Sequence, residues 1–198
     1  SAVLSNKKEY PTFSRVCVPD DQQARGVIAF MQLFGWRRIA TFTGTDPYES
    51  GLQHAVTDAA RDNGIQVAIS VTWDSRVEDV SVIKSRLKQV KKSGSRILYV
   101  CILNRFDSMW PKIFQAAASI GLLAPEYVWI LSEPALTLED VFPDGLIGVA
   151  PYVNESTPQF KRFVEERNAA NITTRLKVGG YSTYYYDAVI AIATAIKH

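Results

Sequence analysis

The sequence predicts an α/β protein with a mainly parallel sheet and helices on both of its faces. Short β-branched runs recur about every thirty residues, and they are continuously apolar rather than alternating. Segments with helical periodicity lie between them. Continuous apolar runs are typical of strands that are covered on both faces. Strands that alternate with helices form right-handed βαβ units and therefore a parallel sheet.

Five strands are expected, because five runs share this composition. The runs are "RRIATFT" (37–43), "IQVAISVTW" (65–73), "RILYVCIL" (96–103), "YVWILS" (127–132) and "LIGVAPYV" (146–153).

The first predicted helix is "DQQARGVIAFMQLFG", with Asp20 or Asp21 as its N-terminal cap. Gly35 is expected to end this helix. The apolar positions that should fall on one side are Val27, Ile28, Met31 and Leu33 or Phe34.

Three more helices are predicted along the chain. "ESGLQHAVTDAARDNG" ends at Asn63-Gly64, a pair that favours a left-handed stop. The next helix covers about 77–92 and closes on Gly94, and the last begins near 107–108.

Length and composition are typical of a single folded domain. The chain has 198 residues, 47% of them hydrophobic and 21% charged, and a net charge of +2 with both signs spread along it. This balance predicts no nucleic-acid groove and no membrane patch. The basic run 84–96 is interleaved with apolar residues, so we interpret it as the solvated face of an amphipathic helix. No apolar run approaches the ~18 residues of a membrane span, and the N-terminus lacks the apolar region of a signal peptide.

Cysteines and sequons say little about function. Cys17 and Cys101 lie in apolar, strand-like runs and are interpreted as buried free thiols, while a disulfide between them stays open. Asn154 and Asn171 begin N-glycosylation sequons, which predicts a secreted surface.

Catalytic motifs are missing from the sequence. It contains no G-x-G-x-x-G, no P-loop motif and no G-x-S-x-G, and its two histidines are His54 and the terminal His198. We therefore predict no enzyme activity, no metal site and no cofactor. Carboxylates at strand ends (Asp20, Asp46, Glu133) leave a carboxylate-based hydrolase as an alternative.

Three loops at carboxyl ends of predicted strands carry hydroxyls, acids, an amide and an aromatic ring, the side chains of a small-molecule site. They lie within "GWRRIATFTGTDPYESG" (35–51), "CILNRFDS" (101–108) and "ILSEP" (130–134).

The stretch "YPTFSRVCVPDDQQARGVIAFMQLFGWRRIATFTGTDPYESGLQHAV" resembles a known receptor family. This is the extracellular ligand-binding region shared by metabotropic glutamate, metabotropic GABA and natriuretic-peptide-type receptors, which has the type I periplasmic-binding-protein fold. Later segments such as "EYVWILSE", "PQFKRFVEERN" and "YYYDAVIAIATAI" fit more loosely. The matching positions are Tyr10, Pro11, Phe13, Arg15, Val18, Pro19, Asp20, Gln23, Ala24, Gly35, Trp36, Tyr48, Ser50 and Gly51.

The resemblance implies a two-lobed domain of which this chain holds mostly the second lobe. Residues 1–19 would be the crossover from the first lobe, 20–153 the second lobe, and 154–198 a return segment and helix that belong to the first lobe. Most of the first lobe, with the hydroxyl-rich segment that grips an amino-acid carboxylate, has no counterpart. The family also usually has Gly after the loop tyrosine, where this chain has Glu49.

By resemblance, Asp20 falls at the interlobe hinge, Tyr48 on the cleft tyrosine, and Glu133 on the acid that meets a ligand ammonium. Each has a simpler interpretation: Asp20 as a helix cap, Tyr48 as a ring packed over a helix end, and Glu133 as a solvated loop acid. The other predicted ligand-binding residues are Thr43, Asn104 and Ser132.

Together these features predict the extracellular sensor domain of a cell-surface receptor, which closes on an amino-acid-like or amine ligand. The expected partners are that ligand, the missing first-lobe segment and a second copy of the chain, through the apolar face of the C-terminal helix. A periplasmic-type solute-binding protein and a flavodoxin-like enzyme are the alternatives. The location would be the outer side of the plasma membrane.

Overall fold

The computed structural model describes residues 2–103, 109–133, 135, 142–143, 145–170 and 181–197. They form two compact units. The described residues of Ser1–Val3 and Pro19–Val149 make one unit, and those of Leu4–Val18 and Ala150–His198 make the other. The predicted assignment of residues to two lobes stays a prediction.

The first unit contains a five-stranded, all-parallel sheet, which confirms the predicted fold class. The strand order is β2-β1-β3-β4-β5, and every neighbouring pair is parallel. Each strand lies within its predicted run or within one residue of it, and the last is the most shortened. The strands are β1 (Arg38–Gly44), β2 (Gln66–Trp73), β3 (Ile97–Cys101), β4 (Val128–Ser132) and β5 (Ile147–Val149).

Helices cover both faces of this sheet, as predicted. On one side α1 (Asp20–Leu33) and α2 (Pro47–Asp62) pack on a core with Ile39, Tyr99 and Ile130. On the other side α3 (Val80–Lys92) and α4 (Met109–Ala118) pack on a core with Phe42, Val100 and Trp129. We refer to these as the α1/α2 face and the α3/α4 face.

The start of α1 differs from the prediction. The N-cap is Pro19, whose backbone is extended, and no side chain caps the helix; Asp20 is already the first helical residue. Asp21 instead lies 3.7 Å from Arg25 in an exposed ion pair. The predicted capping role of Asp20 or Asp21 is therefore wrong. Both acids remain favourable at this position because the helix N-terminus carries partial positive charge.

The end of α1 also differs. Val27, Ile28 and Met31 are buried as predicted, but Leu33 and Phe34 are 77% and 55% exposed. Phe34 stacks on Trp36 with ring centroids 5.0 Å apart, so it packs on the chain that leaves the helix rather than on the core. Gly35, with a φ of 67°, makes this turn.

The second unit contains α5 (Pro158–Ala169) and α6 (Tyr181–Lys197). Thr157 caps α5 by accepting a hydrogen bond from the Phe160 N–H. The Tyr186 hydroxyl of α6 donates to Glu166 of α5 over 3.0 Å. Val189, Ile190 and Ile196 of α6 are exposed. No helix within the described part of the chain is long and apolar enough to cross a membrane.

Candidate functional site

The strand order places a topological switch point between β1 and β3. From β1 the chain moves outward to β2, and it then returns to the other side of β1 to form β3. In α/β proteins with this strand order, ligands bind at the carboxyl edge of the sheet beside the switch point. Two of the three predicted ligand loops begin here. Asn104 lies outside the described residues.

Glu49 joins the two loops at the switch point. It lies in the first turn of α2 and is fully buried. Its Oε2 accepts a hydrogen bond from the Asp46 N–H at 2.9 Å, and its Oε1 accepts one from the Leu103 N–H at 2.7 Å. A carboxylate that accepts on both oxygens satisfies two backbone donors at once, one in each loop.

The N-terminus of α2 is built around the same carboxylate. Asp46 is the N-cap and accepts from the Tyr48 N–H at 3.0 Å, and with Glu49 it completes a capping box, with Pro47 next in the helix. The family's usual glycine after the loop tyrosine is thus replaced here by a residue that caps the helix. The helix N-terminus beside Tyr48 is therefore fully formed.

The lack of a side chain on Gly44 leaves room for the Glu49 carboxylate. A Cβ atom on Gly44 would lie 1.9 Å from Oε2 of Glu49, and Gly44 is buried. Sequence reasoning missed this pair. The signal was present, because Asp46 and Glu49 have the spacing of a capping box directly after a predicted strand.

Two predicted ligand-binding residues, Thr43 and Ser132, form a row with Cys101 on the α1/α2 face at this edge. Thr43 of β1 pairs in register with Cys101 of β3, and Ser132 ends β4 beside Cys101. All three are fully buried, and the Ser132 hydroxyl approaches the Cys101 thiol. Within the described residues, the Thr43 hydroxyl has no hydrogen-bond partner.

Tyr99 is another buried residue with a polar group beneath the helices of the α1/α2 face. Its hydroxyl lies 3.5 Å from Oε1 of Gln23 on α1. Burial raises the pKa of Tyr99 well above its usual value, and the nearby Cys101, Tyr48 and Asp20 raise it further. Two of the predicted ligand-binding residues, Asp20 and Tyr48, thus lie within electrostatic reach of one buried phenol.

Asp20 lies close to α2, the helix that holds Tyr48. A Cβ on Gly51, in α2, would lie 3.7 Å from Oδ2 of Asp20. Tyr48 is half-buried and packs against the core of the α1/α2 face. This packing agrees with the simpler interpretation of Tyr48.

Glu133 directly follows β4 and is only 7% exposed. Its interpretation as a solvated loop acid is therefore wrong. A buried carboxylate is costly unless hydrogen bonds or positive charge compensate it. The carboxyl edge of the sheet thus carries a shielded acid beside the row of Thr43, Cys101 and Ser132.

The two cysteines are free, and they differ in environment. Cys17 is half-buried and lies outside every strand, which corrects its predicted burial, whereas Cys101 is buried. Burial, as the main cause, raises the pKa of the Cys101 thiol to about 12, and the nearby charge of Glu49 adds to the shift.

Thiol labelling should therefore distinguish the cysteines. With a pKa of about 12, roughly one Cys101 in ten thousand is ionised at pH 8, and only the thiolate reacts. We expect one rapidly labelled thiol per native chain, two after denaturation, and none that reacts rapidly in native Cys17→Ser. Rapid labelling of two thiols in the native protein would contradict this burial.

Comparison with known proteins gives one family and several relatives. The family model described as "Receptor family ligand binding region" matches residues 1–198. Glutamate receptor 2.3 of Arabidopsis thaliana is 23% identical over 204 residues, which cover 100% of this chain and 22% of that protein. Glutamate receptor 2.1 of the same plant is 26% identical over 209 residues, covering 99% and 22%. The chain thus spans about a fifth of the length of the curated relatives it matches.

Proposed function

The chain belongs to the receptor family ligand binding region family, and we propose that it is part of the extracellular sensor of a cell-surface receptor. The observation that carries this proposal is the polar carboxyl edge of the sheet at the β1/β3 switch point. The glutamate receptors among its relatives support the same assignment. The role is binding and transmission, without chemistry on the ligand.

The ligand that we propose carries an amine, as an amino acid does. Asp20, the first residue of α1, is half-buried, and Glu133, which follows β4, is buried. Both lie at the carboxyl edge of the sheet. Carboxylates in such surroundings favour a cation nearby, because positive charge lowers the cost of their ionisation. An ammonium group supplies that charge and up to three hydrogen bonds. The half-buried ring of Tyr48 would add a cation–π contact of roughly 0.5–2 kcal/mol.

Signalling would follow from closure of two lobes on this ligand. The described sheet supplies one wall, and a first lobe completed by a segment outside this chain would supply the other and hold the ligand's carboxylate. A ligand that touches both walls stabilises the closed state by its differential affinity for it. We further propose a homodimer in which the exposed apolar side chains of α6, among them Val189 and Ile196, are covered.

An extracellular location fits the two sequons. Asn154 is exposed, and its Oδ1 accepts from the Ser156 hydroxyl at 2.7 Å in a surface turn. Such a position is accessible for glycan attachment. Asn171, the second proposed glycosylation site, lies outside the described residues.

Substitutions at the carboxyl edge should weaken ligand binding in the receptor ectodomain that contains this chain. A thermal-shift screen against amino acids, amines and small acids first identifies the ligand. Calorimetry on Glu133→Gln and on Tyr48→Ala should then show losses of about 1–3 kcal/mol each, the scale of a charged hydrogen bond. Tyr48→Phe should bind nearly as wild type, because it keeps the ring face.

Glu126→Gln is the matched control, since Glu126 is an exposed acid paired with Arg96 at 3.2 Å on another part of the unit. It should bind as wild type. Wild-type affinity in both Glu133→Gln and Tyr48→Ala, or a ligand that is a dianion without an amine, would refute the ligand assignment and leave the fold intact.

A further inference from the structure

The α3/α4 side of the first unit concentrates positive charge. The two helices carry six Lys and Arg residues and no Asp or Glu, although the whole chain has a net charge of only +2. The six are Lys84, Arg86, Lys88, Lys91, Lys92 and Lys112. The rest of the chain therefore has an excess of acids, and the positive potential is localised on this side.

Three of these lysines form a straight stripe. Lys84, Lys88 and Lys92 follow each other at intervals of four residues, so they lie on one side of α3 over about 12 Å of helix. The opposite side of α3 is fully buried in the core. Lys88 and Lys92 are exposed and Lys84 is half-buried. We name these three residues the lysine stripe.

Among the described residues, no acidic side chain forms an ion pair with a member of the lysine stripe. On the neighbouring helix α4, by contrast, Lys112 is paired with Glu78 at 2.5 Å. Like charges four residues apart destabilise a helix. The negative C-terminal end of α3 compensates Lys92, because helix dipoles favour cations in the last turn. The helix dipole does not offset the repulsion between Lys84 and Lys88, which lie nearer the N-terminus of α3.

We propose that the lysine stripe binds a linear acidic polysaccharide. Lysines are flexible point charges, which suit an extended chain of carboxylates or sulfates and need no fixed geometry. Insertion into a membrane surface would need an exposed apolar face on α3, whereas Ile83, Leu87 and Val90 are buried and Val82 is 36% exposed. Protein interfaces need aromatic or Arg anchors, and single-stranded nucleic acids need stacking rings; the stripe offers neither.

Acidic polysaccharide is also the polyanion that the outside of a cell presents, so this inference rests on the proposed extracellular location. The sequence pattern alone predicted a merely solvated face for 84–96. The structure adds that Lys88 and Lys92 are exposed and that no ion pair among the described residues involves the three lysines.

The test is binding of the ectodomain to polygalacturonate and heparin at several salt concentrations. The triple variant Lys84→Gln, Lys88→Gln, Lys92→Gln should bind both about 10-fold more weakly at low salt, with a shallower salt dependence. The control variant removes the same charge at exposed lysines of the second unit: Lys8→Gln, Lys161→Gln and Lys197→Gln. It should bind nearly as wild type.

Equal losses in the two triple variants would overturn the inference, because net charge alone would explain them. Absence of wild-type binding, or stripe-dependent binding to phosphatidylserine vesicles or single-stranded DNA in preference to the polysaccharides, would also overturn it. Amine-ligand affinity is measured on the same variants and should not change. If the wild type bound no amine ligand, the proposed function would be refuted. The polysaccharide measurements test the lysine stripe separately.

Discussion

Glu49→Ala should lower the free energy of unfolding by about 3–5 kcal/mol, because it removes two charge-assisted hydrogen bonds, each worth about 1.5–3 kcal/mol, from a buried position. The backbone N–H groups of Asp46 and Leu103 lose the acceptor that now lies 2.9 and 2.7 Å away. The first turn of α2 also loses half of its capping box. Chemical denaturation followed by circular dichroism measures the loss.

Glu49→Gln is the conservative variant. Its amide keeps one oxygen acceptor but turns an NH₂ group toward the other backbone donor, so we expect a loss between those of wild type and Glu49→Ala. A variant Glu49→Ala within about 1 kcal/mol of wild type would show that the two loops do not depend on this carboxylate.

Gly44→Ala tests the same contact from the other side. The new Cβ would overlap Oε2 of Glu49 at 1.9 Å, so the carboxylate must move away from its backbone donors. The double variant Gly44→Ala, Glu49→Ala should therefore be much less destabilised than the sum of the two single variants. Strict additivity would mean that Gly44 is needed for another reason.

Most of the fold follows from local sequence patterns. β1 is found at Arg38–Gly44 where "RRIATFT" predicts it, because a short β-branched run between two helical segments is typical of a covered strand. Gly64 and Gly94 end α2 and α3 with φ angles of 67° and 75°, as their positions after the helical pattern indicate. These features depend on a few neighbouring residues, so a single sequence contains them.

Helix α1 shows where local patterns fail. An aspartate before an apolar periodic segment is a good cap candidate, but Pro19 occupies the extended N-cap position and Asp20 is the next, helical residue. At the C-terminal end of α1, periodicity favours burial of Phe34. Its ring instead stacks on Trp36 and remains 55% exposed. Both outcomes depend on backbone geometry and on contacts that residue type alone does not specify.

The sequence predicted where the candidate site lies better than it predicted which residues contact each other there. Resemblance and strand order together point to the carboxyl edge, where Tyr48, Ser132 and Glu133 lie. Glu49 was noticed only as a departure from the family pattern. Its partner Leu103 lies 54 residues away in sequence, and such a non-local hydrogen bond has no signature in either segment.

Trp129→Ala should cost about 3–5 kcal/mol of stability, the range for removing a buried aromatic side chain. Trp129 is 1% exposed in the core of the α3/α4 face, and its ring centroid lies 6.0 Å from that of Phe114. Its Nε1–H donates to the Leu122 carbonyl at 2.9 Å, so the indole also fixes the turn that precedes β4. Truncation creates a cavity that rigid neighbouring strands cannot fill.

Trp129→Phe separates packing from hydrogen bonding. Phenylalanine keeps most of the apolar contact but leaves the Leu122 carbonyl without its donor, so we expect a smaller loss of about 1–3 kcal/mol. Because β4 ends at Ser132, directly before Glu133, a shift of this strand would also move the acid at the candidate site. Under conditions where Trp129→Ala remains folded, its ligand affinity should fall more than that of Trp129→Phe. Equal stability of the two variants would show that the hydrogen bond to Leu122, rather than the core packing, holds β4 in place.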